Sequence, residues 1–130
     1  MVVGSAAFFC LALNVYFEAR SEDLASQYAV AEVTLNRVAS PDFPDDICSV
    51  VWQRKQFSWT HDGKSDKPKN ARAWRRAVTV AGYALEDDGH EVVGYKALYY
   101  HADYVKPYWS TAYERLAKVG RHIFYGIKKG

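Results

Sequence analysis

Five polar side chains set among aromatic residues are the groups of this 130-residue chain with chemistry to offer. They are Glu18 in YFEAR, Gln56 in QFSW, Tyr100 and His101 in LYYHA, and His122 in HIFY. Glu18 stands apart because the run before it, Val2 to Phe17, contains no Asp, Glu, Lys or Arg. A carboxyl group at the edge of an apolar helix loses hydration, which disfavours its charged form and raises its pKa. Glycoside cleavage needs such a group, since an acid still protonated near neutral pH can donate to the departing oxygen. The blander alternative is a glutamate paired with Arg20 or a later arginine. Glu18 taken alone leaves both open.

A glycosidase of the two-carboxylate kind would need a second acid about 5–9.5 Å from the first. Asp23, Glu32, Asp62 and Asp103 are candidates, although a loop aspartate more often forms a turn. His101 and His122 lack a third ligand at recognisable spacing, so they read as hydrogen-bonded core or groove histidines and not as a metal pair. Tyr99 and Tyr100 must face opposite sides of a strand, so only one of them is expected at the groove. Trp109 and Phe124 read as core, and Asn36 as a structural residue binding backbone groups.

Positioning these groups falls to helices followed by short strands. Spacing predicts a helix over about Ala6–Arg20, with Cys10, Leu11, Val15 and Phe17 inward. Ser21 and Asp23 can cap a second, over Leu24–Val38, with Leu24, Tyr28, Ala31, Leu35 and Val38 on its buried side. SPDFPDD (Ser40–Asp46) breaks the chain before a short helix at Ile47–Gln53. Asn70 caps a helix over Ala71–Leu85, buried through Val78, Ala81 and Leu85. ALYYHA (Ala97–Ala102) and RHIFYG (Arg121–Gly126) read as strands, and STAYERLAKVG between them as a last helix ending at Gly120. The class is α+β, mainly helical with a small antiparallel sheet.

The totals fit one domain of 1–130 with a single core. A net charge of +2 is too small to point to nucleic acid, and the basic clusters at 64–69, 72–76 and 128–129 read as solvated faces. The apolar start is shorter than the roughly 20 residues that span a bilayer, and no basic residue precedes it as in an export signal. It reads as a helix of the domain. Cys10 and Cys48 have no zinc-site spacing; pairing in an oxidising compartment is possible, but two separate buried thiols are the expectation.

VYFEARSED, QYAVAEVTLNRVASPDFPDDICSVVWQ, QFSWTHDGK, ALYYHADYVKPYW and VGRHIFY, in that order from about Leu11 to Tyr125, resemble the successive motifs of the SleB-type cell-wall hydrolases. That family includes spore cortex-lytic enzymes and related bacterial and phage enzymes. The resemblance implies a lysozyme- or lytic-transglycosylase-like domain that cleaves peptidoglycan glycan strands between N-acetylmuramic acid and N-acetylglucosamine. Glu18 falls on the catalytic glutamate, and Gln56, Phe57, Ser58, Tyr100, His101, His122 and Tyr125 on groove positions. It implies no cofactor or metal, no nucleic acid, no membrane insertion, a monomer, and action at the bacterial cell wall, in the periplasm or outside the cell. With no binding module or export signal visible, a phage endolysin fits, as does a fragment of a longer exported enzyme. Relatives often place a cysteine near the position of His61, able to pair with one at Cys48; with His61 here, Cys48 is free or pairs with Cys10. A hydrolytic muramidase, a non-catalytic glycan-binding module and a histidine-metal amidase are the competing expectations.

Overall fold

The computed structural model describes residues 4–53, 67–86 and 91–127. Helix α1 (Ser5–Ala19) runs through the core, with Leu11, Ala12, Val15 and Tyr16 fully buried. Helix α2 (Leu24–Ala39) starts at Asp23, whose carboxylate accepts from the Ser26 amide at 2.9 Å. Such a cap satisfies one of the helix's orphan amides. Asp46 does the same for the short α3 (Ile47–Val51), and Asn70 accepts from Ala73 N at 3.0 Å to open α4 (Ala71–Glu86). These four helices match the expected ones to within two residues at each end.

Their buried faces differ from expectation in one informative case. Leu24 is 54% exposed, whereas Ser26, Gln27, Ala29, Val30, Val33, Thr34 and Arg37 of the same helix are buried. Helix α2 packs on α1, α3, α4 and the later segment Glu114–Val119 at once. A helix enclosed on several sides has no single apolar stripe to read.

Strands β1 (Tyr99–Ala102), β2 (Glu114–Val119) and β3 (His122–Gly126) form an antiparallel sheet in the order β1-β3-β2. The expected last helix is therefore a strand, preceded by a 3₁₀ turn at Tyr108–Thr111. Residues 114–119 are good helix formers, but propensity is a weak prior. Strand β3 is almost wholly buried, and without β2 one edge of its backbone would be left unpaired. Leu116 and Val119 also complete the second core cluster, against Ala29, Val33, Ala97 and Phe124.

Gly120 does carry the special backbone expected of it, at φ 57°, but it turns a hairpin and does not end a helix. A side chain there would run into the Ser26 hydroxyl, which donates to Val119 O at 3.1 Å. The two cysteines are a second correction. Cys10 and Cys48 form a disulfide, with Cα atoms 5.3 Å apart, tying α1 to α3. Thirty-eight residues separate them in sequence, so only the packing of α3 across α1 brings the thiols together.

Candidate active site

Glu18 lies in the last turn of α1, one turn beyond the fully buried Asn14 on the same side. Asn14 Nδ2 donates to Thr34 Oγ1 at 3.3 Å, which fixes α1 against α2. Across from both, Tyr100 of β1 donates its hydroxyl to Glu18 Oε1 at 3.0 Å, and the same hydroxyl hydrogen-bonds Asn14. Tyr100 is on the sheet face that packs toward the helices, with Phe124 and His122 at 5.5 Å ring-to-ring. Helix end, helix interior and strand thus converge on one carboxyl group.

Its electrostatics follow from that enclosure. Burial pushes the Glu18 carboxyl up to about 7; the Tyr100 hydrogen bond and the Arg37 charge pull the other way without cancelling it. The Tyr100 phenol is held well above its usual range, first by burial and then by the Glu18 charge. It is therefore a permanent donor to the carboxylate. Arg20, the near arginine of the blander reading, turns away and donates to the Tyr16 hydroxyl at 2.8 Å. Among the described residues, Arg37 is the charge that bears on Glu18, and nothing in the sequence marked it. It was hidden because an arginine in the last turn of a helix ordinarily complements the dipole from solvent.

The expected groove residues divide into three groups. Tyr100 contacts Glu18, and His122 lies edge-on to Tyr100, its Nδ1 3.9 Å from Glu22 Oε1. Burial depresses the His122 pKa, against the opposing pull of Glu22 and Asp103. His101 and Tyr125 project from the opposite face of the sheet, where His101 Nε2 and the Tyr125 hydroxyl are 2.8 Å apart. They pack with Trp109 at 5.6 and 5.4 Å, beside Tyr99 stacked on Tyr113 at 4.2 Å. The structure does not bring these two to Glu18. Gln56, Phe57 and Ser58 lie outside the described residues, as do His61 and Asp62.

The competing chemistries can be placed on the same geometry. His101 and His122 point to opposite sides of the sheet, and the described residues contain no group of three His, Cys, Asp or Glu able to hold a metal. Asp23 caps α2 and Asp103 pairs with Lys118 at 3.3 Å. Glu32 accepts from the amides of Val92, Val93 and Gly94 at 2.8–3.0 Å, pinning that segment to α2. Each of these carboxylates has a structural task. Asn36 does too, donating to Gly94 O and Ala97 O at 2.9 Å each. A surface cavity of about 390 Å³ lies beyond Asn36, between Tyr95, Leu98 and Leu116, and none of Glu18, Tyr100, Asn14 or Arg37 lines it.

Residues 21–125 match the family described as Cell Wall Hydrolase. The chain belongs to that family. The matched stretch begins three residues after Glu18, so the family match itself leaves that residue outside. Among curated members, the spore cortex-lytic enzyme of Halalkalibacterium halodurans is 34% identical over 114 residues, covering 88% of this chain and 33% of the relative. That of Bacillus subtilis is 33% identical over 117 residues, covering 88% and 35%. The chain thus spans about a third of the length of these two relatives. Among solved structures, the catalytic domain of the germination-specific lytic transglycosylase SleB from Bacillus anthracis superposes with a TM-score of 0.75 at 30% identity, covering 95% of this chain and 96% of that domain. The SleB catalytic domain of Bacillus cereus gives 0.71 at 28%, covering 96% and 94%. The likeness in structure extends across both helices and sheet, and this family member has the fold of those catalytic domains.

Proposed function

We propose that this cell wall hydrolase cleaves the glycan strand of peptidoglycan between N-acetylmuramic acid and N-acetylglucosamine, as a lytic transglycosylase with Glu18 as its acid and base. The observation that carries the proposal is the carboxyl group of a half-buried glutamate, raised to about 7, fixed by Tyr100 at the end of a buried helix. Near neutral pH about half of such a group is protonated, and the protonated half can donate to the glycosidic oxygen as its bond to C1 breaks. The carboxylate left behind then accepts the proton of the muramic 6-hydroxyl as that oxygen attacks C1. A 1,6-anhydro ring forms, Glu18 is again protonated, and no water is consumed. One carboxyl group suffices for both steps, which agrees with the structural tasks found for Asp23, Glu32 and Asp103. The resemblance to a lytic transglycosylase catalytic domain supports the same route.

Action on the wall places the protein outside the reducing cytosol, and the Cys10–Cys48 disulfide supports that compartment. Mass spectrometry of the products from purified sacculi tests substrate, bond and mechanism together. Anhydro-muramyl ends, about 18 Da lighter than hydrolysed ones, are expected; reducing ends would replace this route by the two-carboxylate muramidase. Intact sacculi would leave the glycan-binding module.

A further inference from the structure

Arg37 is the buried charged group to which neither the sequence motifs nor the proposed chemistry gives a task. It is 3% exposed, at the inner end of α2. Its Nε donates to Leu98 O at 2.7 Å, and its guanidinium lies over the rings of Phe43 at 4.9 Å and Tyr99 at 5.5 Å. Leu98 immediately precedes β1, two residues before Tyr100, so this bond clamps the strand to α2 just before Tyr100 reaches Glu18. Burying a guanidinium is costly, and a chain that needed only a clamp at Leu98 could use a neutral amide. Asn36, the neighbouring residue, is such an amide and holds Ala97 O at 2.9 Å.

We propose that Arg37 is a positioning residue for Glu18, holding the β1 strand so that Tyr100 meets the carboxyl group and supplying a fixed positive charge for the carboxylate formed on proton donation. The inference rests on the assignment of Glu18 as the acid. When the proton moves from Glu18 to the glycosidic oxygen, negative charge appears on the carboxylate in a desolvated place. A cation already fixed within electrostatic reach stabilises it without reorganising. When the 6-hydroxyl proton returns, Glu18 is neutral again and Arg37 is unchanged. Among the described residues, the charged and titratable groups that bear electrostatically on Arg37 are Glu18 from α1 and Tyr99 and Tyr100 from β1, with Asp42 acting on Tyr99. His122 of β3 faces Tyr100 edge-on. Of these, Glu18 is the group that changes charge around neutral pH in the proposed cycle.

The test reads the coupling directly and without substrate. Carbon-13 NMR of glutamate-labelled protein follows the Glu18 carboxyl, assigned by its loss in E18Q. In R37Q its midpoint should rise by at least about half a pH unit, and in R37K it should stay nearer the wild-type value. The lytic rate should fall by at least about tenfold in R37Q, mainly in kcat, with partial recovery in R37K. In wild type, the Arg37 side-chain nitrogen resonances should titrate with the Glu18 midpoint, and in E18Q that inflection should vanish. This last measurement needs no Arg37 variant and so survives misfolding of R37Q. An unmoved Glu18 midpoint in folded R37Q, or Arg37 resonances indifferent to Glu18, would overturn the proposal. An active E18Q, with the coupling present in wild type, would instead remove the catalytic assignment and leave the electrostatic pairing standing.

Discussion

At the scale of single residues, the site is a carboxyl group balanced between burial and its neighbours, and its behaviour with pH follows from the direction of that balance. Glu18 binds its proton more tightly in the folded protein than in the unfolded chain. Its contribution to stability is therefore fully present below about pH 4.5 and lost as pH rises through about 7. Glu18→Gln removes a charge that is costly above that range, so the variant should exceed wild type in unfolding free energy at pH 8, by up to about 3 kcal/mol in denaturant titration. The same substitution should lower lysis of sacculi about 10²–10⁴-fold, because an amide cannot protonate the bond. Activity within a few-fold of wild type at equal folded concentration would remove Glu18 as the acid. Wild-type kcat/KM should fall as pH rises past about 7, following the protonated fraction. Asp103→Asn should keep most of its activity, since that carboxylate is engaged with Lys118. A loss equal to that of Glu18→Gln would point to a second catalytic acid.

At the scale of elements, two cross-links hold the helices and sheet in register. The disulfide closes the α1–α3 loop of 38 residues, and loops of that length lose about 2–4 kcal/mol when opened. Cys10→Ser/Cys48→Ser should show that loss in denaturant unfolding, while a small change would mean that packing alone seats α3. The hairpin β2–β3 is docked on the start of α2 through Gly120, Ser26 and Glu22, whose Oε1 accepts from Arg121 N at 3.0 Å. Gly120→Ala combines a positive φ with a collision at Ser26, so it should cost at least about 1–3 kcal/mol. Thermal unfolding reads that directly, and an unchanged midpoint would contradict the turn geometry.

At the scale of the whole molecule, the helices and the sheet share the assembly of the acid. Neither α1 nor β1 contains the whole arrangement, because Asn14 and Glu18 come from one and Tyr100 from the other. The sheet also has a second aromatic face, built from Tyr99, His101, Trp109, Tyr113 and Tyr125, directed away from Glu18. The proposed route moves protons and a sugar hydroxyl only, so lysis should persist in excess EDTA. Loss on chelation with recovery on added zinc would favour a histidine-metal amidase.

The sequence by itself determined the helices, their caps and the identity of the unusual acid. Those rest on local signals: an uncharged run ending at Glu18, Asp23 and Asn70 before apolar spacing, and prolines after Ser40. Tyr100 was also legible, because strand alternation separates it from Tyr99 and the family motif falls on it. Tertiary structure decided the rest. Residues 114–119 became a strand because β3 required a partner on its open edge, a demand that propensity cannot register. The cysteines joined because α3 folds across α1, and His101 parted from His122 because adjacent strands set which face each enters. Arg37 was buried because α2 is enclosed on several sides, which leaves no stripe by which a buried arginine could be foreseen.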